Sequence, residues 1–475
     1  MSTPSAPADL PTTAGDLARS GHPAAHARSV RTELRDNLLA RLRAGAGPWP
    51  GIVGFDRTVL PQFERAVLAG HDVVLLGERG QGKTRLLRSL VNLLDEWTPV
   101  IDGSELGEHP AEPITPASRR RAAELGDDLP IAWRHRSERY AEKLATPDTS
   151  VADLIGDVDP VKVAEGRSLG DPETIHYGLV PRAHRGIVTI NELPDLAERI
   201  QVALLNVMEE RDIQVRGYTL RLPLDIMLVA SANPEDYTNR GRIITPLKDR
   251  FGAEVRTHYP LEVAGEIALA RQEAHLVADV PDHLVEVLAR FTRHLRSSGA
   301  IDQRSGVSAR FTIAAAETVA AAALRRAAVT GEDAAVARPV DLESVPPVLR
   351  GKLEFESGEE GREAELLTHL LRRSISETAR ARLAGVDLAP LADGVSALEG
   401  SRRVVTGDRV AARQVVDALP SISVVYTVAE RLGAAGTEAP GPLASAVELA
   451  LEHLYLTRKL AKDDDAEDGT VAYGG

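Results

Sequence analysis

Residues 73–94 read VVLLGERGQGKTRLLRSLVNLL, and this stretch decides the fold. VVLLG (73–77) is a short, continuous apolar run, the pattern of a strand buried on both faces of a parallel sheet. TRLLRSLVNLL (84–94) follows with apolar residues at helical spacing. Between them, Gly77-Glu78-Arg79-Gly80-Gln81-Gly82-Lys83-Thr84 fits G-x-x-x-x-G-K-[ST]. Its glycines let the backbone curl until several N–H groups face one phosphate. The helix start adds partial positive charge. Lys83 is placed to reach the β- and γ-phosphates, and Thr84 to set its hydroxyl on Mg²⁺. A glycine-rich turn carrying a lysine by chance would not account for the strand before it and the helix after it.

Further apolar runs lie at PVI (99–101), GIVTI (186–190) and DIMLVAS (225–231). Helical stretches such as LAERIQVALLNVMEE (196–210) separate them. This alternation predicts a doubly wound α/β layer. The chain then divides as follows: a disordered lead-in (1–25), an N-terminal helix (26–45) and an α/β nucleotide-binding domain (46–260). After these come a helical lid (261–345) and a helical C-terminal region (346–475). Within the α/β domain, 102–150 is an insertion rich in Pro and Arg, with no place in the layer. Beyond 261, helices are expected at 262–278, 282–296, 309–328, 361–384, 408–433 and 442–461, with one short strand at KLEFE (352–356). The closing KDDDAEDGTVAYGG (462–475) is expected to be frayed and solvated.

Composition narrows the function. The 475 residues suggest about three domains. Lys+Arg 56 against Asp+Glu 70 gives a net charge of −14, the wrong balance for a general nucleic-acid binder. Cysteine is absent, which removes disulfides, thiolate metal sites and Cys nucleophiles. No stretch is long and apolar enough to span a bilayer. MSTPSAPADLPTTAG lacks the basic-then-apolar form of a secretory signal. A soluble cytoplasmic protein is expected. His109 and His135 have no metal-ligand spacing and read as loop and surface histidines.

Hydrolysis needs more than a phosphate loop. GIVTI ends in Asn191-Glu192. Glu192 is placed to polarise the attacking water. Asn191 stands where such sites place an acid for the Mg²⁺ shell, so it brings an amide oxygen without charge. Asn233, at the end of the next strand, lies where it can orient the lytic water. Arg250, just before Phe251-Gly252, sits at the rim where a cation reaches a neighbour's γ-phosphate. Arg310 opens a helix in the lid. Taken singly, these would be a helix cap, an Asn-Pro turn, a surface ion pair and a solvated arginine.

Together the parts resemble an AAA+ ATPase, and within that class the magnesium-chelatase ATPase subunit and MoxR-type proteins. The resemblance rests on IVG (52–54), GERGQGKT (77–84), DLIGDVDP (153–160) and GLVPRAHRGIVTINELPDL (178–196). It continues through ASANPED (230–236), LKDRFG (247–252) and GVSARF (306–311), and covers about residues 50–330. It implies a P-loop αβα sandwich with a parallel sheet, followed by a helical lid and helical C-terminal region. Ile52 and Val53 would line the adenine pocket. Gly77 through Thr84, with Arg85, would bind ATP. Thr84 and Asn191 would hold Mg²⁺, Asn191-Glu192 would be Walker B, and Asn233 sensor 1. Arg250 would be the arginine finger and Arg310 sensor 2. Segment 151–180 would be the helix-2 insert and 212–224 a remodelling hairpin. The resemblance also implies a homo-oligomeric ring, usually hexameric, and a partner carrying a von Willebrand factor A domain, while charge and hydropathy lead to no expected membrane or nucleic-acid partner.

Three readings follow. The chain is an ATP-hydrolysing ring motor that remodels a partner protein or metal-insertion complex. Alternatively, Asn191 makes it a hydrolysis-weak, nucleotide-gated scaffold, in which Asn191→Asp would raise turnover. The third is an AAA+ transcription activator, for which neither a GAFTGA loop nor a C-terminal helix-turn-helix is evident.

Overall fold

The computed structural model describes residues 4–165, 172–210, 213–215, 218–220, 222–233, 242–302, 306–398, 403–419, 421–436, 439–465 and 470–474. They form two compact units, Met1–His258 and Tyr259–Gly475. No helix among the described residues is long and apolar enough to cross a membrane.

The first unit is built on a five-stranded parallel sheet. Its strands are β1 (Val73–Leu76), β2 (Tyr140–Leu144), β3 (Gly186–Asn191), β4 (Ile226–Ala232) and β5 (Ala253–Arg256), in the order β5-β1-β4-β3-β2. All residues of β1, β3 and β4 are buried, as central strands covered on both faces must be. Alternate residues feed two separate cores. Val73, Leu75, Ile187, Met227 and Val229 pack with the helices Val30–Arg43, Val59–Ala69 and Lys83–Ser89. Val74, Leu76, Val188, Ile190, Leu228 and Ala230 pack with Glu198–Glu210 and Thr245–Arg250 on the other face. This is an αβα sandwich. Leu76 pairs with Ala232 and Ala230 with Ile190, so Gly77, Asn191 and Asn233 emerge together at the carboxyl ends of the strands.

Several expectations need correction. The apolar run at 99–101 is not in this sheet. Trp97–Ile101 pairs antiparallel with Ile131–His135 in a separate two-stranded sheet. The fifth strand of the main sheet, β2, comes instead from the 102–150 segment. Pro99 and Thr98 are tied down from below by Arg185, which donates to Pro99 O at 3.0 Å and Thr98 Oγ1 at 2.9 Å. Burial and the nearby Arg139 lower the Arg185 guanidinium to about 10. The neighbouring His184 accepts the Asp225 N–H at its Nδ1, 3.1 Å away. GLVPRAHRG therefore carries a structural clamp.

The lead-in is not disordered throughout. Ile131 N–H donates to Thr12 O at 3.0 Å, Ala14 N–H to Leu129 O at 2.9 Å and Trp133 Nε1 to Pro11 O at 2.8 Å. A helix follows at Ala14–Arg19, with Leu17 buried. His109 is buried, not on the surface. Its Nε2 donates to Ala24 O at 3.0 Å, its Nδ1 accepts the Ala111 N–H at 3.1 Å, and burial with the Arg185 charge lowers it to about 4. His135 packs its ring against Trp97. Segment 151–180 contains an antiparallel pair, Gly156–Val158 with Ile175–Tyr177, and Ile213–Val215 pairs with Tyr218–Leu220 as a hairpin.

In the second unit one core runs through buried residues from Ala270 to Tyr473. Its main helices are Val263–Glu273, Asp282–Ser297, Arg310–Thr330, Glu363–Arg382 and Pro440–Leu456. The expected helix at 408–433 is divided into Ala412–Asp417 and Ser423–Arg431. KLEFE supplies only an isolated bridge, Phe355 to Ile301. The C-terminal stretch is not frayed. Ala461–Asp465 and Thr470–Gly474 join Val404–Gly407 in an antiparallel sheet. Ala461–Asp465 is the outer strand of the three. Tyr473 is buried, and its hydroxyl donates to Glu452. Tyr473→Phe is expected to lower the stability of this unit by about 2 kcal/mol, read as the midpoint of its denaturant unfolding. An unchanged midpoint would mean that the Tyr473–Glu452 hydrogen bond does not stabilise this unit.

Candidate functional site

The loop after β1 is held by side chains as well as by its own glycines. A Cβ on Gly77 would collide with Thr257 Oγ1 and Gln81 Oε1, so a side chain there would break the contact between them. Thr257 Oγ1 donates to Gln81 Oε1 at 2.7 Å, and Thr257 N–H donates to Leu76 O at 2.8 Å. Gly80 and Gly82 have φ of 73° and 77°, a region that side chains disfavour. Gly82 then starts the helix Lys83–Ser89. Glu78 is half-buried, while Arg79 and Arg85 are exposed at the mouth of the loop. Ile52 and Val53 are half-buried in the loop after Gly51. A Cβ on Gly51 would lie 2.7 Å from Arg85 Nη2, so this loop runs beside the start of the phosphate-loop helix.

Lys83 is 6% exposed. Its ammonium donates to Gly77 O, to Glu78 O at 2.9 Å and to Asn233 Oδ1 at 2.7 Å. Asn233 Nδ2 donates in turn to Glu192 Oε2 at 2.8 Å. A lysine at the start of the phosphate-loop helix, and an asparagine and a glutamate from two strand ends, are thus joined in one chain of hydrogen bonds. Glu192 has φ 54° and ψ 47°. A non-glycine residue in this left-handed region costs on the order of 1–3 kcal/mol and marks sites where geometry matters more than stability. Its N–H donates to Ser231 Oγ at 3.3 Å.

Beside this chain lies a second group. Asn191 Oδ1 accepts from Thr84 Oγ1 at 3.3 Å and Ser231 Oγ at 3.1 Å. Its Nδ2 donates to Glu142 Oε1 at 2.8 Å. Apart from Asn191 Nδ2 these groups are carbonyl, carboxylate and hydroxyl oxygens, the ligand type that suits a hard cation such as Mg²⁺. Among the described residues, no three His, Asp or Glu form a metal cage. A nucleotide-bound Mg²⁺ does not need one, because phosphates and waters supply most of its shell.

Lys83, Thr84, Asn191, Glu192 and Asn233 are therefore brought together. Arg250 is not among them. It is half-exposed and pairs with Glu209 of the helix Glu198–Glu210, not with Asp249. Arg310 is exposed at the first position of Arg310–Thr330, in the second unit. Glu142 and Thr257 adjoin the site without any signal in the sequence, and Ser231 lies within ASANPED without a role assigned to it there. Each acts through a strand-to-strand neighbour that no local motif records.

The sequence is similar to those of magnesium-chelatase subunits. A magnesium-chelatase subunit ChlI of Anabaena variabilis is 27% identical over 216 residues, 45% of this chain and 60% of that protein. The magnesium-chelatase 38 kDa subunit of Acidiphilium rubrum is 30% identical over 272 residues, 55% of this chain and 71% of that protein. This chain belongs to the magnesium-chelatase family of AAA+ ATPases. It spans somewhat over half the length of the ChlI relatives. The magnesium-chelatase resemblance is accompanied by a family match. The model for the Sigma-54 interaction domain fits residues 166–250, the stretch that holds Asn191, Glu192, Asn233 and Arg250. A solved assembly of the BchI and BchD subunits of magnesium chelatase is 21% identical, with a TM-score of 0.35. It covers 67% of this chain and 98% of that one.

Proposed function

We propose that this chain is a cytoplasmic ATPase that binds Mg²⁺·ATP at the loop Gly77–Thr84 and uses hydrolysis to remodel a partner protein or metal-insertion complex. The observation that carries this reading is the hydrogen-bonded chain from Lys83 through Asn233 to Glu192. Lys83 holds the phosphates, Asn233 aligns Glu192, and Glu192 takes the proton of the attacking water. Thr84 and Asn191 would hold Mg²⁺, which when bound neutralises charge across the β- and γ-phosphates. Ile52 and Val53, on the loop beside Arg85, would receive the adenine. Arg310 as sensor 2 rests on the family resemblance.

Arg250 would act in a neighbouring subunit of a ring, hexameric in the reading from the resemblance. Its present partner Glu209 lies at the rim, so the guanidinium must exchange that carboxylate for a phosphate. A protein with a von Willebrand factor A domain is the proposed partner. Lys83→Ala should weaken ATP binding at least about tenfold. Arg250→Ala should bind ATP normally and hydrolyse it at least about tenfold more slowly. Mixing the two variants should restore turnover at interfaces that pair an intact Lys83 with an intact Arg250. Normal ATP binding by Lys83→Ala would remove the proposed site, and absence of complementation would remove the trans role.

The Sigma-54 interaction match favours a second reading, an AAA+ transcription activator. The charge of −14 weighs against it. Sequence-specific DNA retention by the full chain would support it. The hydrolysis-weak scaffold differs in one measurement, ATP-dependent assembly without phosphate release.

A further inference from the structure

Asn191 is the departure from the usual acid, and the structure sets a carboxylate beside it. Glu142 lies in the middle of the edge strand β2, one strand over from Asn191, and accepts from Asn191 Nδ2 at 2.8 Å. A carboxylate is an acceptor only, so it dictates which end of the amide faces it. Asn191 Oδ1 is thereby turned toward Thr84 and Ser231, whose hydroxyls it accepts at 3.3 and 3.1 Å. Glu142 is itself held in place. Arg88, one turn beyond Thr84 on the same helix, donates to its two oxygens at 2.7 and 2.8 Å, and the Tyr140 hydroxyl donates at 3.3 Å. The Arg88 side chain is 64% exposed and that of Glu142 21%, so solvent screens the arginine more than the carboxylate.

An Asp at 191 would lose the hydrogen bond that Asn191 Nδ2 donates to Glu142 and set two acceptor-only carboxylates side by side, where they repel. Asn191 and Glu142 thus form a matched pair in which the charge stands on the adjacent strand. We propose that Glu142 is a positioning residue for the Mg²⁺ of bound ATP. It aims Asn191 Oδ1 toward Thr84 and supplies from β2 the negative charge that Asn191 lacks. This inference rests on the ATPase reading above. It reverses the expectation that Asn191→Asp by itself raises turnover.

The test is the Mg²⁺ dependence of nucleotide binding by the full chain. Binding of a fluorescent ATP analogue is titrated with Mg²⁺, with EDTA giving the metal-free reference and a thermal melt checking that each variant folds. Glu142→Gln should raise the half-saturating Mg²⁺ about tenfold. Asn191→Asp alone should not lower the half-saturating Mg²⁺. Asn191→Asp combined with Glu142→Gln should return it to the wild-type value. An unshifted Glu142→Gln, or an Asn191→Asp that tightens Mg²⁺ while Glu142 is present, overturns the proposal. Should Glu142→Gln fail to fold, the Asn191→Asp arm decides by the same criterion. If the wild type shows no Lys83-dependent ATP binding, the ATPase reading itself falls. If it binds ATP and only the Mg²⁺ shifts are missing, Glu142 alone loses its role.

Discussion

Glu192→Gln is expected to lower ATP turnover by about 10³-fold while ATP still binds. The expectation follows from what the side chain touches. Glu192 Oε2 accepts one hydrogen bond from Asn233 Nδ2 at 2.8 Å, and a Gln carbonyl oxygen can accept the same bond. The isosteric change therefore keeps the chain from Lys83 to residue 192 and removes the negative charge and the capacity to take a proton. In the proposed function nucleotide binding depends on Lys83 and the loop glycines, which the substitution leaves alone. The backbone at 192 stays left-handed in either variant, so the strain at the site is unchanged. Phosphate release at saturating ATP, measured beside binding of a fluorescent ATP analogue, checks both halves. Turnover within about threefold of wild type would take Glu192 out of the chemistry. Loss of binding together with turnover would mean that the residue supports the loop instead.

The phosphate loop was legible because its chemistry demands contiguous residues. A loop that curls round a phosphate needs its glycines, lysine and threonine within eight positions of one another, directly between a strand and a helix. The strand ends at Asn191-Glu192 and Asn233 were legible for a related reason, since central strands of a parallel sheet are continuous apolar runs. The edge strand was not. β2 reads YAEKL, and its residues are half-buried or exposed, so it lacks the uniform apolar signal of its neighbours. The run at 99–101 looked like the missing strand because it is buried. That burial comes from Arg185 and the 131–135 strand, not from the central sheet. Glu142 was hidden with its strand, because its link to Asn191 joins positions 49 apart. The C-terminal stretch was misread through composition. Its acidic run suits solvent, yet Tyr473 a few residues later is almost fully buried, and a single anchored aromatic is enough to order a short hairpin against existing structure.

How β2 is held in place leads to the second large effect. Arg139, the residue before β2, is 1% exposed and makes a two-pronged pair with Glu33 of the helix Val30–Arg43, at 2.6 and 2.8 Å. It also donates from Nε to Arg185 O at 2.9 Å, and Glu33 Oε1 accepts the Asp95 N–H at 2.7 Å. One buried pair thus joins the N-terminal helix, the edge strand and the clamp at Arg185. Removing one partner of such a pair strands a charge in the core, which costs about 3–5 kcal/mol. Arg139→Met is expected to lose stability in that range, read as a shift in the denaturant midpoint with unchanged slope. Glu33→Met should cost a similar amount. The double variant should recover part of the loss, because neither charge is then left unpaired. Its recovery should be incomplete, since the Arg185 carbonyl and the Asp95 N–H each lose a partner. Additive losses in the double variant would show that the two side chains are not coupled. Nucleotide binding gives a second readout. If Arg139 fixes β2, Arg139→Met should also raise the half-saturating Mg²⁺ through Glu142, at temperatures where the variant is still folded. A folded Arg139→Met with wild-type Mg²⁺ dependence would separate the stability of the edge strand from the geometry of the site.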